Sequence, residues 1–130
     1  MPVERRVADA GPSRCTTTMM KLLSCLKKRD GITSEAFKEY YETNHVPLIL
    51  SLAPSPTVYK RHYLIRGDAF NLREDEVDFD VVTEMGWEDR DAFQAWMTAV
   101  SDERVGIDEA RFLDRSRTRA VLIDDQVTTG

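Results

Sequence analysis

The sequence predicts an α+β fold in which strands and helices follow the order β-α-β-β-α-β. Three observations predict it. An apolar run at residues 19–29 passes through Asp30-Gly31 into a long amphipathic stretch that ends in "APSPT". Two β-rich segments, 58–66 and 79–88, flank a polar, acidic loop. A second amphipathic helix, "DRDAFQAWMTAV", then precedes a last apolar segment at 117–125. This order is the ferredoxin-like arrangement, a four-stranded antiparallel sheet with both helices on one face. The opposite face of such a sheet lies open. Contiguous apolar surface marks an interface. A symmetric homodimer that stacks two open faces is the simplest cover.

Each element has its own reason. "MMKLLSCLKKR" is short, apolar and basic at its end, the length of a strand buried on both faces. Asp30-Gly31 marks a turn, and Thr33 or Ser34 can cap the helix that follows. At ~100° per residue, Phe37, Tyr41, Asn44, His45, Leu48 and Leu52 share one face of a helix over 34–52. Pro47 lies inside that pattern, where it removes a hydrogen bond and crowds the Thr43 carbonyl. "VYKRHYLIR" alternates as a strand does. "FDVVTEMGWE" places Phe79, Val81, Thr83, Met85 and Trp87 on one side and Asp80, Val82, Glu84 and Gly86 on the other. Asp89 or Asp91 can cap the next helix, whose stripe is Ala92, Phe93, Trp96, Met97 and Val100. "SDERVGIDEARFLD" reads as a short helical piece broken at Gly106, and "RTRAVLIDD" as the closing strand.

The 130 residues suit one domain with a core of its own. Residues 1–18 read as a disordered tail, 19–126 as the domain and 127–130 as a frayed end. The net charge of -5 comes without a basic stripe, which argues against nucleic acid. No apolar run reaches the ~20 residues of a bilayer span, and the N-terminus lacks a secretory apolar region. Cys15 and Cys25 show no CxxC or zinc spacing, as expected of free thiols in the cytoplasm.

Few residues can carry chemistry. His45 can exchange a proton at neutral pH, and it sits one turn after Tyr41 on the inward helical face. Packing and catalysis are both open for it. His62 shares that pocket if its strand parity faces the helices, and otherwise belongs to the open face or solvent. Tyr41 and Tyr63 can donate to a carbonyl or enolate oxygen. Asn44 can orient a carbonyl or the imidazole, and Asp80 can orient an imidazole. Trp87, Trp96, Phe93 and Met85 offer flat apolar surface to an aromatic ligand, although the stripe of Ala92, Phe93, Trp96 and Met97 is mainly core. Dinucleotide, phosphate-loop, zinc-protease and serine-hydrolase motifs are absent, and two histidines with scattered carboxylates make no metal site. The expectation is chemistry without metal or cofactor.

Three passages carry a resemblance: "KLLSCLKKRDGITSEAFKEYYETNHVPLI" with its His-x-Pro, "DVVTEMGWED", and "DEARFLDRSRTRAVLI". In this order they resemble the EthD-like family of dimeric α+β barrel proteins. The resemblance implies a homodimer enclosing a barrel. It also implies kinship with polyketide cyclases, lactone isomerases, cofactor-free oxygenases and decarboxylases or dehydratases of aromatic polyketide pathways. Haem is not carried over, because no candidate proximal histidine lies near the C-terminus. The resulting expectation is a cofactor-independent enzyme of lyase, cyclase or isomerase type. It would move protons next to the carbonyl of an aromatic or polyketide-like substrate. His45, Tyr41 and His62 would be catalytic, with Asn44, Tyr63, Asp80 and Trp87 on the substrate. A cofactor-free oxygenase and a non-catalytic binding protein are the alternatives.

Overall fold

The computed structural model describes residues 19–128. The readings of Cys15, of the tail at 1–18 and of the last two residues lie outside that range. Strand β1 is Met20–Leu26. Helix α1 (Ser34–Tyr40) continues through a π-helical turn, Tyr41–His45, into α2 (Val46–Leu52). Strand β2 (Val58–Tyr63) and β3 (Val81–Trp87) precede α3 (Arg90–Ala99) and α4 (Glu103–Ala110), and β4 (Arg119–Ile123) closes the fold. The strands form one antiparallel sheet in the order β2-β3-β1-β4. This is the ferredoxin-like α+β fold.

The sheet register sorts the side chains. Val81, Thr83, Met85 and Trp87 are buried under the helices, and their partners across the ladders share that face. Those partners are Leu26, Ser24, Leu22 and Met20 on β1, and Tyr63, Arg61 and Tyr59 on β2. The core has two parts. Phe112 packs with Leu26, Phe37, Tyr41, Val46, Val81 and Leu113. Met85, Trp87 and Trp96 pack with Ile49, Ala53 and Val105. The other face carries Leu23, Cys25, Val58, Val82, Val121 and Ile123. Toward one end of it Lys21 pairs with Glu84 at 3.5 Å and with Asp125 at 2.6 Å. Gly86 sits where β2 crosses close by: a Cβ there would lie 3.2 Å from that of Val58.

Local chemistry sets the element ends. Thr33 caps α1 through its hydroxyl, Asp89 caps α3 and Asp102 caps α4, each accepting from a backbone N–H. Several expectations need correction. The stretch at 34–52 is not one α-helix: the Val46 N–H reaches back to the Tyr41 carbonyl, the wider spacing of a π turn. Pro47 then falls in the first turn of α2, where a missing N–H is tolerated. Gly106 does not break α4, because the Asp102 cap and the buried Val105 and Asp108 hold the helix through it. Asp80 precedes β3 instead of lying within it. Met97 and Ala92 are exposed, so the packed stripe of α3 narrows to Trp96, with Phe93 and Val100 partly buried. No helix among the described residues is long and apolar enough to cross a membrane.

Candidate active site

A cavity of about 350 Å³ lies between the helices and the sheet. His45 from the π turn, Tyr41 one turn before it, and Thr83 on β3 all line it. So do Tyr59, Ser24, Trp96 and Met85. The π turn buries both Tyr41 and His45. The imidazole stands edge-on to the Tyr41 ring at 5.3 Å and against Phe112 at 5.1 Å between centroids.

His45 is not merely packed. Its Nδ1 lies 2.8 Å from Oδ2 of Asp108, a buried carboxylate on α4. The second oxygen of Asp108 accepts a 2.6 Å hydrogen bond from the Tyr40 hydroxyl. A carboxylate that accepts at Nδ1 fixes a proton there and leaves the lone pair on Nε2. Among the described residues Nε2 has no hydrogen-bond partner, so it is available to a ligand in the cavity. The arrangement is a histidine oriented by a carboxylate, which is in turn held by a tyrosine.

The wall beside His45 is made of hydroxyls. Tyr41 and Thr83 share a 2.7 Å hydrogen bond in which either oxygen can donate. The Tyr59 hydroxyl is buried beside them and makes no hydrogen bond among the described residues. Burial pushes the Tyr41 and Tyr59 phenols well above their ordinary range, so both stay protonated. The Tyr41 hydroxyl adds to the upward push on Tyr59, although the two do not meet in hydrogen-bonding geometry. The Tyr59 ring is held by the Arg61 guanidinium, 4.7 Å from its centroid. Arg61 in turn grips Glu42 through two hydrogen bonds of 2.9 and 2.7 Å, and Tyr63 donates to the same carboxylate at 2.7 Å. This cluster ties the π turn to the edge strand β2.

The sequence-named residues divide sharply. His45 and Tyr41 meet in the cavity. His62 does not join them: it pairs with Val82 across the ladder, on the open face, with Nε2 3.4 Å from Glu84. A single pocket for both imidazoles within one chain is therefore excluded. Asn44 is turned outward by the π geometry, and its amide donates to the Thr43 hydroxyl at 3.0 Å. The Tyr63 hydroxyl is occupied by Glu42, which acts as a brace. Asp80 accepts from the Lys28 backbone N–H at 2.8 Å and borders a separate surface groove. Trp87 packs on Trp96 at 5.1 Å, behind the cavity wall.

Sequence reasoning missed Asp108, Tyr59 and Thr83 as cavity residues, whereas Trp96 and Met85, named for their flat apolar surface, do line the cavity. Asp108 had a readable signal. Val105, Asp108 and Phe112 follow at i, i+3 and i+7, which places a carboxylate in an apolar stripe. The assumed break at Gly106 hid that stripe. Among the described residues no group of three or more His, Cys, Asp and Glu side chains is placed to hold a metal ion.

Fold and site together define an open-faced α+β protein with a buried histidine–carboxylate pair on an apolar cavity. The EthD domain model matches residues 29–116, more than half of the chain, and the chain belongs to the EthD family. Similar solved structures agree on the fold. An EthD-family protein from Bacillus halodurans C-125 is 19% identical, with 84% of this chain and all of that chain covered and a TM-score of 0.58. An EthD-like protein from Ralstonia eutropha JMP134 is 18% identical over 82% of this chain and 89% of its own, with a TM-score of 0.57. A dimeric ferredoxin-like protein of unknown function from Thermobifida fusca YX is 13% identical over 81% and 89%, with a TM-score of 0.56. No curated protein sequence matches the chain.

Proposed function

We propose that this chain is a cofactor-independent acid/base enzyme that moves a proton next to a carbonyl group of an aromatic or polyketide-like molecule. The observation that carries the reading is the 2.8 Å bond between His45 Nδ1 and Asp108 beside the cavity. Nε2 of His45 takes the proton from the carbon flanking the carbonyl. Asp108 steadies the imidazolium that forms, and Tyr40 holds Asp108 in place. Negative charge then grows on the substrate oxygen. The protonated hydroxyls of Tyr41 and Thr83 form the donor wall that receives it. Return of the proton to another atom completes an isomerisation. Loss of a leaving group from the next carbon instead gives a lyase outcome, and attack of the enolate carbon on a second carbonyl of the same molecule, whose oxygen takes the proton from His45, gives a cyclisation. Trp96, Met85 and Ile49 supply the flat apolar surface that an aromatic body requires.

The working unit in this reading is a homodimer built from the domain at 19–126, with open sheet faces stacked into a barrel. The apolar residues of that face and the dimeric Thermobifida fusca relative support it. The free thiol of Cys25 on the same face fits a reducing compartment such as the cytoplasm.

The test is deuterium exchange from D₂O into the carbon beside the carbonyl of 2-tetralone, followed by NMR. The wild-type protein should accelerate exchange and His45→Gln should abolish the acceleration. A wild-type protein that binds 2-tetralone, seen by quenching of tryptophan fluorescence, without accelerating exchange would refute the catalytic reading. It would leave a non-catalytic binding protein.

A further inference from the structure

The cavity has a charge asymmetry that the proton-transfer chemistry does not use. Its inner wall is neutral: Tyr41, Thr83, Ser24 and apolar side chains surround the buried His45. Its only permanently cationic lining residue, among the described residues, is Arg115, from the short 3-10 turn Arg115–Arg117 before β4. The Arg115 side chain is 60% exposed, which places it at the lip and not in the interior. Its Nε faces Glu109 Oε1 at 3.3 Å, and Glu109 lines the same lip. The guanidinium lies over Gly106 on α4, where a Cβ would stand 3.6 Å from Nη1. Nη1 and Nη2 have no hydrogen-bond acceptor among the described residues. Thr118 brings a hydroxyl to the same rim.

A guanidinium with a free edge is a fork that fits a carboxylate. We propose that Arg115 is the specificity residue of the cavity, and that the ligand class is an aromatic or polyketide-like carboxylate. Its carboxylate is held at Arg115, its apolar body lies along Trp96, Val100 and Val105, and its carbonyl end reaches the hydroxyl wall. The substrate orientation rests on the acid/base reading above; the anion anchor itself does not. The anchor keeps the carboxylate at the lip, away from His45. The bond changed at His45 is then a C–H bond at the inner end of the molecule. Glu109 is the competitor: it shares the guanidinium and repels an incoming anion.

The experiment measures the binding of 2-naphthoate and 2-naphthol by quenching of tryptophan fluorescence. It uses the wild type, Arg115→Gln, Arg115→Lys and Glu109→Gln. Wild type should prefer naphthoate. Arg115→Gln should weaken naphthoate about three- to tenfold, the size expected for a solvent-screened charge contact, and leave naphthol unchanged. Arg115→Lys should recover part of the loss. Glu109→Gln should tighten naphthoate. A merely structural ion pair predicts instead that Arg115→Gln and Glu109→Gln act alike on both probes. That result, or equal binding of the two probes to wild type, would overturn the proposal. Arg115-dependent naphthoate binding in a protein that exchanges no proton on 2-tetralone would support the anchor and sink the acid/base reading. Exchange that needs His45, with naphthoate binding indifferent to Arg115, would do the reverse.

Discussion

Asp108 bears the sharpest prediction. Replacement by Ala removes the acceptor of two donors, His45 Nδ1 at 2.8 Å and the Tyr40 hydroxyl at 2.6 Å. A buried donor left without a partner costs about 1–3 kcal/mol. Tyr40 is only half-buried and can turn toward water, so the expected loss of Asp108→Ala is about 2–4 kcal/mol. Asp108→Asn keeps the shape and costs less, about 1 kcal/mol. Its amide can present an N–H to the imidazole, which then accepts at Nδ1 and carries its proton on Nε2. That tautomer has no lone pair toward the cavity. Exchange of 2-tetralone should therefore fall about 10²-fold or more, although the protein is folded. Urea unfolding gives the stability, and ¹⁵N chemical shifts of the His45 ring give the tautomer. An Asp108→Asn protein with the wild-type tautomer and undiminished exchange would refute the reasoning.

Three further outcomes are expected. Phe112 is fully buried and touches Phe37, Tyr40, Tyr41 and His45, so Phe112→Ala should lose about 3–5 kcal/mol by urea unfolding. Hydrogen bonds from Arg61 hold the Glu42 carboxyl below the usual carboxylate range. Its stabilisation is therefore complete above the ordinary carboxylate pKa and lost as pH falls through the depressed one. Glu42→Gln should cost about 1 kcal/mol at pH 7, and the gap from wild type should narrow on acidification in urea titrations. Val121 is 59% exposed on the open face of one chain, and Val121→Lys should turn the proposed dimer into a folded monomer by light scattering.

The sequence made the fold legible because its signals were local. Asp-Gly, the Thr33 cap, the Pro-rich exit after Leu52 and the period-two pattern of 81–87 each specify one boundary or one face. The site was legible only where two residues share a helix, as Tyr41 and His45 do. Asp108 lies 63 positions from His45, and only tertiary packing joins them. His62 was ambiguous because strand parity has no meaning until the register with β3 is known. An ordinary helical period turns Asn44 inward, and the π turn does not keep that period.

That turn has a further consequence. Phe37, Tyr41, His45, Ile49 and Ala53 are all buried, at strict intervals of four. On an ordinary α-helix each such interval overshoots a full circle by about 40°, or about 160° from Phe37 to Ala53. Such a line would wind off the sheet before reaching Ile49. The wider π turn takes up about one residue's worth of that winding midway, and all five side chains are buried. The same residues wound as an uninterrupted α-helix would thus form a good helix with its two halves facing different ways. Either the first half of the core or the second could dock, but not both. The imidazole sits at the junction of those halves, so its aim toward the cavity follows from the winding of the backbone on which it stands.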